Sequence, residues 1–284
     1  MSRRAFRAMG TEIELLVDAD DAERTLDAAE AEFHRLEALL SRFRPDSELS
    51  RLNEAGSLEA GPDLCRVLGL ALVARERTGG RFDPTVHDAV VAAGYDRSFE
   101  HVPADADGGT AVRRTPAAHD DVVVDGSAVR LTGVRLDLGG IGKGYAAERT
   151  AEILAAAGPC LVNAGGDIAT RGGAWTVGVE TAAEPLTLEL SGASGLATSG
   201  RDRRRWRRDG RELHHLIDPR TGAPSESDLL RVTVVAPDAV EAEIAAKSLF
   251  LAGAEAAAAE ADEAGIPSVL VTADGRTVVA GGLA

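Results

Sequence analysis

Apolar positions along this chain switch between two periods, and the switch points outline a fold. Residues 12–17 alternate apolar with polar side chains, the pattern of a half-buried strand. Asp20 or Asp21 can then cap a helix in which Leu26, Ala29, Phe33, Leu36 and Leu40 recur at helical spacing. A second helix is expected from Pro62, a residue suited to the first helical position. It carries Leu64, Val67, Leu68, Ala71 and Leu72 inward and stops at Gly79-Gly80. Short β-type runs at 122–124 and 128–131 flank Asp125-Gly126, a strong hairpin turn pair. A helix is expected over 144–157, then strands at 161–163, 175–179, 186–190, 196–199, 213–217 and 230–235. Alanine-rich helices at 237–252 and 254–264 and a strand pair at 268–272 and 277–280 close the chain. No internal repeat or linker interrupts this order, and the polar stretch from His101 to His119 reads as a surface loop or insert. The pattern predicts an α+β fold, mixed or antiparallel sheets with flanking helices, as a single domain over 1–284.

Composition narrows the chemistry. With 284 residues, 44% of them hydrophobic, the chain can bury a sizeable core. Glycine is frequent, at 31 residues, and aromatics make up 4%, so a site here rests more on exposed backbone groups than on aromatic cages. A net charge of −15 offers no footprint for duplex nucleic acid, whose binding needs phosphate neutralisation. Cys65 and Cys160 lie far apart in apolar surroundings and read as buried small hydrophobes, not as a disulfide or metal framework. The first residues carry no apolar leader and no lipid-anchor cysteine, and no stretch is long and apolar enough to span a membrane. A cytoplasmic enzyme is the expectation. Seven arginines between Arg201 and Arg211 surround Trp206 on an expected hairpin, solvated or docking an acidic partner segment.

Four motifs carry candidate chemistry. In Asp137-Leu-Gly-Gly-Ile-Gly-Lys143-Gly144 a strand ends in a glycine-rich turn and a helix begins. Backbone N–H groups, the helix N-terminus and the Lys143 charge suit a phosphorylated nucleotide-type ligand, without the spacing of a Walker A loop. The alternative is a tight strand-to-helix connection with a solvated lysine. A second glycine turn, Asn163-Ala-Gly-Gly-Asp167, places Gly165 and Gly166 between two groups that can bond ribose or phosphate, or close Asx turns. Asp83 precedes Pro84, so its backbone is extended and its carboxylate is available as an acceptor or as a cap. In His214-His-Leu-Ile-Asp-Pro-Arg-Thr-Gly222, His215 is a candidate general base grouped with Asp218.

Taken in order, these motifs resemble the ApbE family, the FAD:protein FMN transferases. The resemblance runs through Met9-Gly-Thr11, the segment from Ser41 to Asn53, Gly80 to Thr85, Asp137 to Tyr145, Asn163 to Asp167, Ala197 to Gly200 and His215 to Gly222. It implies a two-lobed α/β fold with an FAD cleft between the lobes. It also implies cleavage of the FAD pyrophosphate, release of AMP, and attachment of FMN through a phosphoester to a Ser or Thr hydroxyl of an acceptor flavoprotein, normally assisted by Mg²⁺. On that template Met9 and Phe43 pack against flavin or adenine, and Asp83 and Lys143 help hold FAD. Asn163, Gly165, Gly166 and Asp167 line the cofactor cleft, together with Thr198 and Ser199. His215 is the base, in a catalytic group with Lys143 and Asp218.

The chain departs from the family pattern at two places. The family's metal-holding helix carries an Asp and, four residues later, a Thr, which bind Mg²⁺ with a backbone carbonyl of the lysine loop. Here Glu243 and Lys247 occupy those positions, which leaves Gly140 and Glu243 as candidate metal ligands. A charged lysine has no lone pair to give. Either its ammonium takes the metal's place, or Glu243 and Lys247 form a surface pair one helical turn apart. Phe43 stands where the family usually has a tyrosine, keeping the aromatic face and losing the hydroxyl. An FAD pyrophosphatase and a non-catalytic flavin-binding protein are the alternatives to a transferase.

Overall fold

The computed structural model describes residues 1–106 and 121–283, and its secondary structure is α+β. The chain opens with β1 (Ser2–Ala8), β2 (Thr11–Val17), α1 (Glu23–Leu40), α2 (Glu48–Ala55), β3 (Ser57–Glu59), α3 (Pro62–Arg77) and α4 (His87–Ala92). It continues with β4 (Asp105–Ala106), β5 (Val122–Asp125), β6 (Ala128–Leu131), α5 (Gly142–Leu154), β7 (Cys160–Ala164), β8 (Asp167–Arg171), β9 (Ala174–Val179) and β10 (Leu186–Ser191). Then come β11 (Ser194–Gly200), β12 (Arg205–Arg208), β13 (Arg211–His214), β14 (Ile217–Asp218), β15 (Ala223–Pro224) and β16 (Leu229–Ala236). The last elements are α6 (Ala239–Ala252), α7 (Ala254–Ala264), β17 (Ser268–Thr272) and β18 (Thr277–Ala280).

Two compact units share these elements. The first comprises Met1–Glu37, Ile141–Gly200 and Ser227–Ala284; the second comprises Ala38–Gly140 and Arg201–Glu226. The first unit is built on an eight-stranded sheet in the order β1-β2-β7-β8-β11-β16-β17-β18, with every pairing antiparallel. Its register explains its core. Ile13, Leu15 and Val17 pair with Ala164, Val162 and Cys160, and all six are 0% exposed. Cys160 Sγ donates to the Ala151 carbonyl of α5, so this face looks toward the helices. On the opposite face Leu161, Ile168, Leu196 and Val269 join Val179 and Leu190 of the β9–β10 hairpin. With apolar partners on both faces, the middle strands have near-continuous apolar runs instead of clean alternation.

Tight turns join the strands at one end of that sheet. Ala8 pairs with Thr11 across Met9-Gly10, and Ala164 pairs with Asp167 across Gly165-Gly166. All four turn residues have positive φ (49° and 69°, then 67° and 103°), the geometry that matches the twist of a two-residue hairpin.

The second unit packs α2, α3 and α4 with small sheets, β3-β6-β5 and β13-β12-β4. Ser47 caps α2 by accepting from Ser50 N at 2.9 Å, and Gly56 ends that helix at φ 72°. Its aromatic centre gathers Tyr95, Trp206, Phe99 and Phe43 around Val86, Val90 and Ile217. Trp206 is buried on the arginine-rich hairpin and donates to the Ala93 carbonyl at 2.9 Å, while Arg205 and Arg207 on either side of it are exposed.

Several sequence expectations are corrected. The strand expected at 213–217 breaks after His214, because Leu216 N donates to His214 Nδ1 (3.3 Å) and Leu216 O accepts from Ser225 N (2.9 Å), which starts the separate β14–β15 ladder. The helix expected over 144–157 runs Gly142–Leu154. Cys160 is buried, but Cys65 is only partly so. In the polar stretch from His101 to His119, the residues after 106 lie outside the described ones; before them Asp105 and Ala106 form β4, paired in parallel with β12.

Candidate functional site

The first unit centres on the N-terminus of α5. Lys143 is its second residue, and the absence of a side chain at Gly144 lets α6 cross closely: a Cβ there would lie 2.6 Å from the Ala239 carbonyl oxygen. That crossing brings Glu243 of α6 onto the loop. Its Oε2 accepts from Gly144 N at 2.9 Å, and its Oε1 accepts from Lys143 Nζ at 3.3 Å. The same ammonium donates to Asp167 Oδ2 at the start of β8. The three side chains are 18%, 3% and 6% exposed for Lys143, Asp167 and Glu243, so two carboxylates and one ammonium are largely withdrawn from water, paired with one another and left with one negative charge in excess. Lys247 follows one turn further along α6 and is half-buried. Among the described residues no group of three or more His, Cys, Asp or Glu is placed to hold a metal ion.

One turn deeper in α5, Glu148 fastens the same crossing. Its Oε1 accepts from Ala239 N at 2.7 Å, placing a carboxylate at the N-terminus of α6, and its Oε2 pairs with Arg171. Burial pushes the Glu148 carboxyl above its ordinary value, outweighing the bonds to Ala239 and Arg171 that pull it down.

The neighbouring hairpin turns collect most of the other first-unit candidates. Asn163 Oδ1 accepts from Gly166 N at 2.8 Å, so this side chain closes its own turn. Gly165 sits directly against the Thr11 side chain, which a Cβ would overlap. Met9, left-handed and half-buried, donates its N–H to Glu37 Oε1 at 2.5 Å. Thr198 and Ser199 lie on β11 beyond Leu196, the partner of Ile168, and so toward the Gly165-Gly166 end. Thr198 is exposed and shares a 2.8 Å hydrogen bond with Thr233 on β16; Ser199 is half-buried. The sheet register therefore brings Met9, Asn163, Gly165, Gly166, Asp167, Thr198 and Ser199 to one end, beside Lys143 and Glu243.

The second unit holds the remaining candidates. Asp83 has the extended backbone expected before proline (φ −146°, ψ 118°), and Oδ1 accepts from Thr85 N (2.8 Å) and Thr85 Oγ1 (2.6 Å), capping the turn Pro84–Val86. Phe43 lies 5.5 Å from the Tyr95 ring, centroid to centroid. The Arg42 guanidinium stacks on both rings, 4.1 and 4.7 Å from their centroids, donates to the Tyr95 carbonyl at 2.7 Å and pairs with Asp137 Oδ2 at 2.6 Å. Asp137, the first residue of the glycine-lysine loop, is thus tied back to Arg42, and its Oδ1 accepts from Gly139 N at 2.7 Å. Asn53 fixes the residue before it with a reciprocal pair, Nδ2 to Leu136 O at 2.8 Å and Leu136 N to Oδ1 at 2.7 Å. Gly140 is buried at the end of this segment.

His215 is half-buried and meets Tyr95 edge-on at 6.5 Å. Its neighbour His214 is buried, accepts from Leu216 N through Nδ1, and so donates from Nε2 to the Ser225 carbonyl at 3.0 Å as a neutral ring. Burial lowers its pKa, with the Arg201 charge adding to the shift against the Ser225 bond. Asp218 is buried, and burial alone would raise its pKa; its bonds from the Arg220 side chain and backbone prevail and lower it. Sequence patterning did not single out Arg42, Asn53, Tyr95, Glu37 or Glu148, because each acts through a partner distant along the chain.

The family model described as the ApbE family matches residues 9–271. The FAD:protein FMN transferase of Salmonella typhimurium is 30% identical over 95% of this chain and 84% of its own length; that of Treponema pallidum is 31% identical over 87% and 76%. In fold, the chain is similar to the ApbE protein of Thermotoga maritima, with a TM-score of 0.84 at 23% identity over 98% of this chain and 96% of the other. It is similar also to the apo flavinyl transferase ApbE of Pseudomonas stutzeri, with a TM-score of 0.82 at 23% identity over 98% and 94%. The family match spans most of the chain, and the chain belongs to the ApbE family.

Proposed function

We propose that this chain moves the FMN part of FAD onto a Ser or Thr hydroxyl of an acceptor protein. The hydroxyl oxygen attacks the flavin-side phosphorus, the bridging P–O bond to the adenylate breaks, AMP leaves, and the hydroxyl proton passes to a base. The observation that carries the reading is the Lys143 ammonium at the N-terminus of α5, held beside the Gly165-Gly166 turn. A fixed positive charge, a helix N-terminus and exposed backbone groups suit a pyrophosphate, and phosphoryl transfer depends mainly on such positioning and electrostatics. Met9, Asn163, Asp167, Thr198 and Ser199 surround that position in the first unit.

In the second unit we assign the base to His215, and assign Asp218 to shaping the turn that follows it. Asp83 fixes the Pro84–Val86 turn, and Phe43 offers a ring face already stacked with Arg42. The relatives named as FAD:protein FMN transferases support the same activity here. We take residues 1–284 to act as one transferase domain in the cytoplasm; among the described residues, no helix is long and apolar enough to cross a membrane.

Mg²⁺ fits poorly with the residues present. It takes about six oxygen donors in near-octahedral geometry. Here the oxygens of Glu243 face Lys143 and Gly144 N, and Asp167 faces the same lysine.

The test mixes purified protein with FAD and a candidate acceptor and follows AMP release together with covalent flavin fluorescence on the acceptor band. Equal amounts of AMP and bound flavin are expected. AMP with free FMN would instead make the chain a pyrophosphatase, and tight FAD binding without AMP would end both enzymatic readings.

A further inference from the structure

Glu243 and Lys247 stand one helical turn apart on α6, and burial decides between the two readings of that pair. The Glu243 side chain is buried at 6% exposure, which removes a solvent-exposed ion pair. Its carboxylate is committed instead to the Lys143 ammonium and the Gly144 N–H, while Asp167 meets the same ammonium from β8. A divalent ion seated on Glu243 would have to displace both donors. Lys247, one turn further along the same helix, stands where the family's metal helix has an oxygen donor, and a charged lysine has no lone pair to give. Two carboxylates accompanied by two ammonium groups balance in charge without a divalent ion.

We infer that Lys143, clamped by Asp167 and Glu243 and with Lys247 one turn further along α6, supplies the positive charge that a divalent metal would bring to the FAD pyrophosphate, so this site takes FAD without resident Mg²⁺. The inference rests on the FAD reading above. The ammonium is preorganised: its carboxylate partners hold it at the N-terminus of α5, where the helix dipole adds positive potential.

Manganese, an EPR-visible stand-in for Mg²⁺, tests this when titrated into chelator-stripped protein with and without FAD. Wild type is expected to leave manganese free into the millimolar range and to quench FAD fluorescence equally well in EDTA. The double variant Glu243→Asp, Lys247→Thr, which restores a short carboxylate and an oxygen donor, is expected to bind manganese tighter by at least about tenfold. Stoichiometric micromolar binding by wild type, or FAD affinity that drops about tenfold in EDTA, would overturn the inference. Should the double variant fail to fold, the wild-type titration decides alone. Protein that binds no FAD under any condition would sink the FAD reading, whereas the manganese signal of the free protein still answers the metal question.

Discussion

Met9 is the residue whose local geometry most needs an explanation. It holds φ at 49° in a two-residue turn where its neighbour Gly10, at 69°, meets no steric cost. A side chain in the left-handed region costs about 1 kcal/mol, so a methionine kept there is retained for what its side chain touches. Met9→Gly is expected to leave thermal stability unchanged or raise it by up to about 1 kcal/mol, and to weaken FAD binding. A variant that loses stability and binds FAD normally would sink that assignment. Gly165 is the converse case, with φ at 67° and Thr11 packed where a Cβ would go. Gly165→Ala is expected to cost about 2 kcal/mol in denaturant unfolding. The Gly165-Gly166 turn was legible in the sequence, because paired glycines after a short strand announce a tight turn; the Met9-Gly10 hairpin was not, because β1 carries Arg3, Arg4 and Arg7 and reads as polar. Nor was it legible that Asn163 bonds its own turn through Gly166 N, since a ligand contact and an Asx-type closure use the same side chain.

At the scale of elements, the site depends on how closely α5 crosses α6. Three groups hold the crossing: Gly144 by lacking a side chain, Glu243 through Gly144 N, and Glu148 through Ala239 N. Asp238 then caps α6, accepting from Glu241 N at 2.8 Å. Asp238→Ala is expected to cost about 1 kcal/mol, the usual worth of a cap. Glu148→Ala should cost more, about 2 kcal/mol, because it strands a buried N–H as well as a partly buried guanidinium. Chemical denaturation of the two variants side by side checks the order, and equal losses would show that Glu148 contributes no more than a single helix cap. Elements with caps and clean periodicity were readable in advance, as α3 from Pro62 and the closing α7, β17 and β18 show. β8 was not, because Asp167–Arg171 is buried almost throughout and carries no alternation. The break after His214 was equally hidden, since it depends on a histidine accepting from the backbone two residues on.

For the molecule as a whole, two buried titratable groups pull stability in opposite directions with pH. His214 has its folded pKa depressed below 6.5, chiefly by burial. The stability it contributes is present above 6.5 and is lost as pH falls through that value toward the folded pKa, because the unfolded chain takes up a proton that the folded ring resists. Glu148 has its folded pKa raised above 4.5, again chiefly by burial. Its contribution is present below 4.5 and is lost as pH rises from there through the folded pKa, because the unfolded chain releases its proton first. Melting temperature should therefore fall on acidification through the sixes by an amount that depends on His214. His214→Gln keeps an amide donor for the Ser225 carbonyl and has nothing to titrate. The difference in melting temperature between wild type and this variant, followed from pH 7.5 to about 5.5, should change steadily in the variant's favour as the pH drops. Parallel curves would mean that His214 is protonated as easily folded as unfolded, and that its ring is not the neutral donor that ends β13 and starts the turn toward His215.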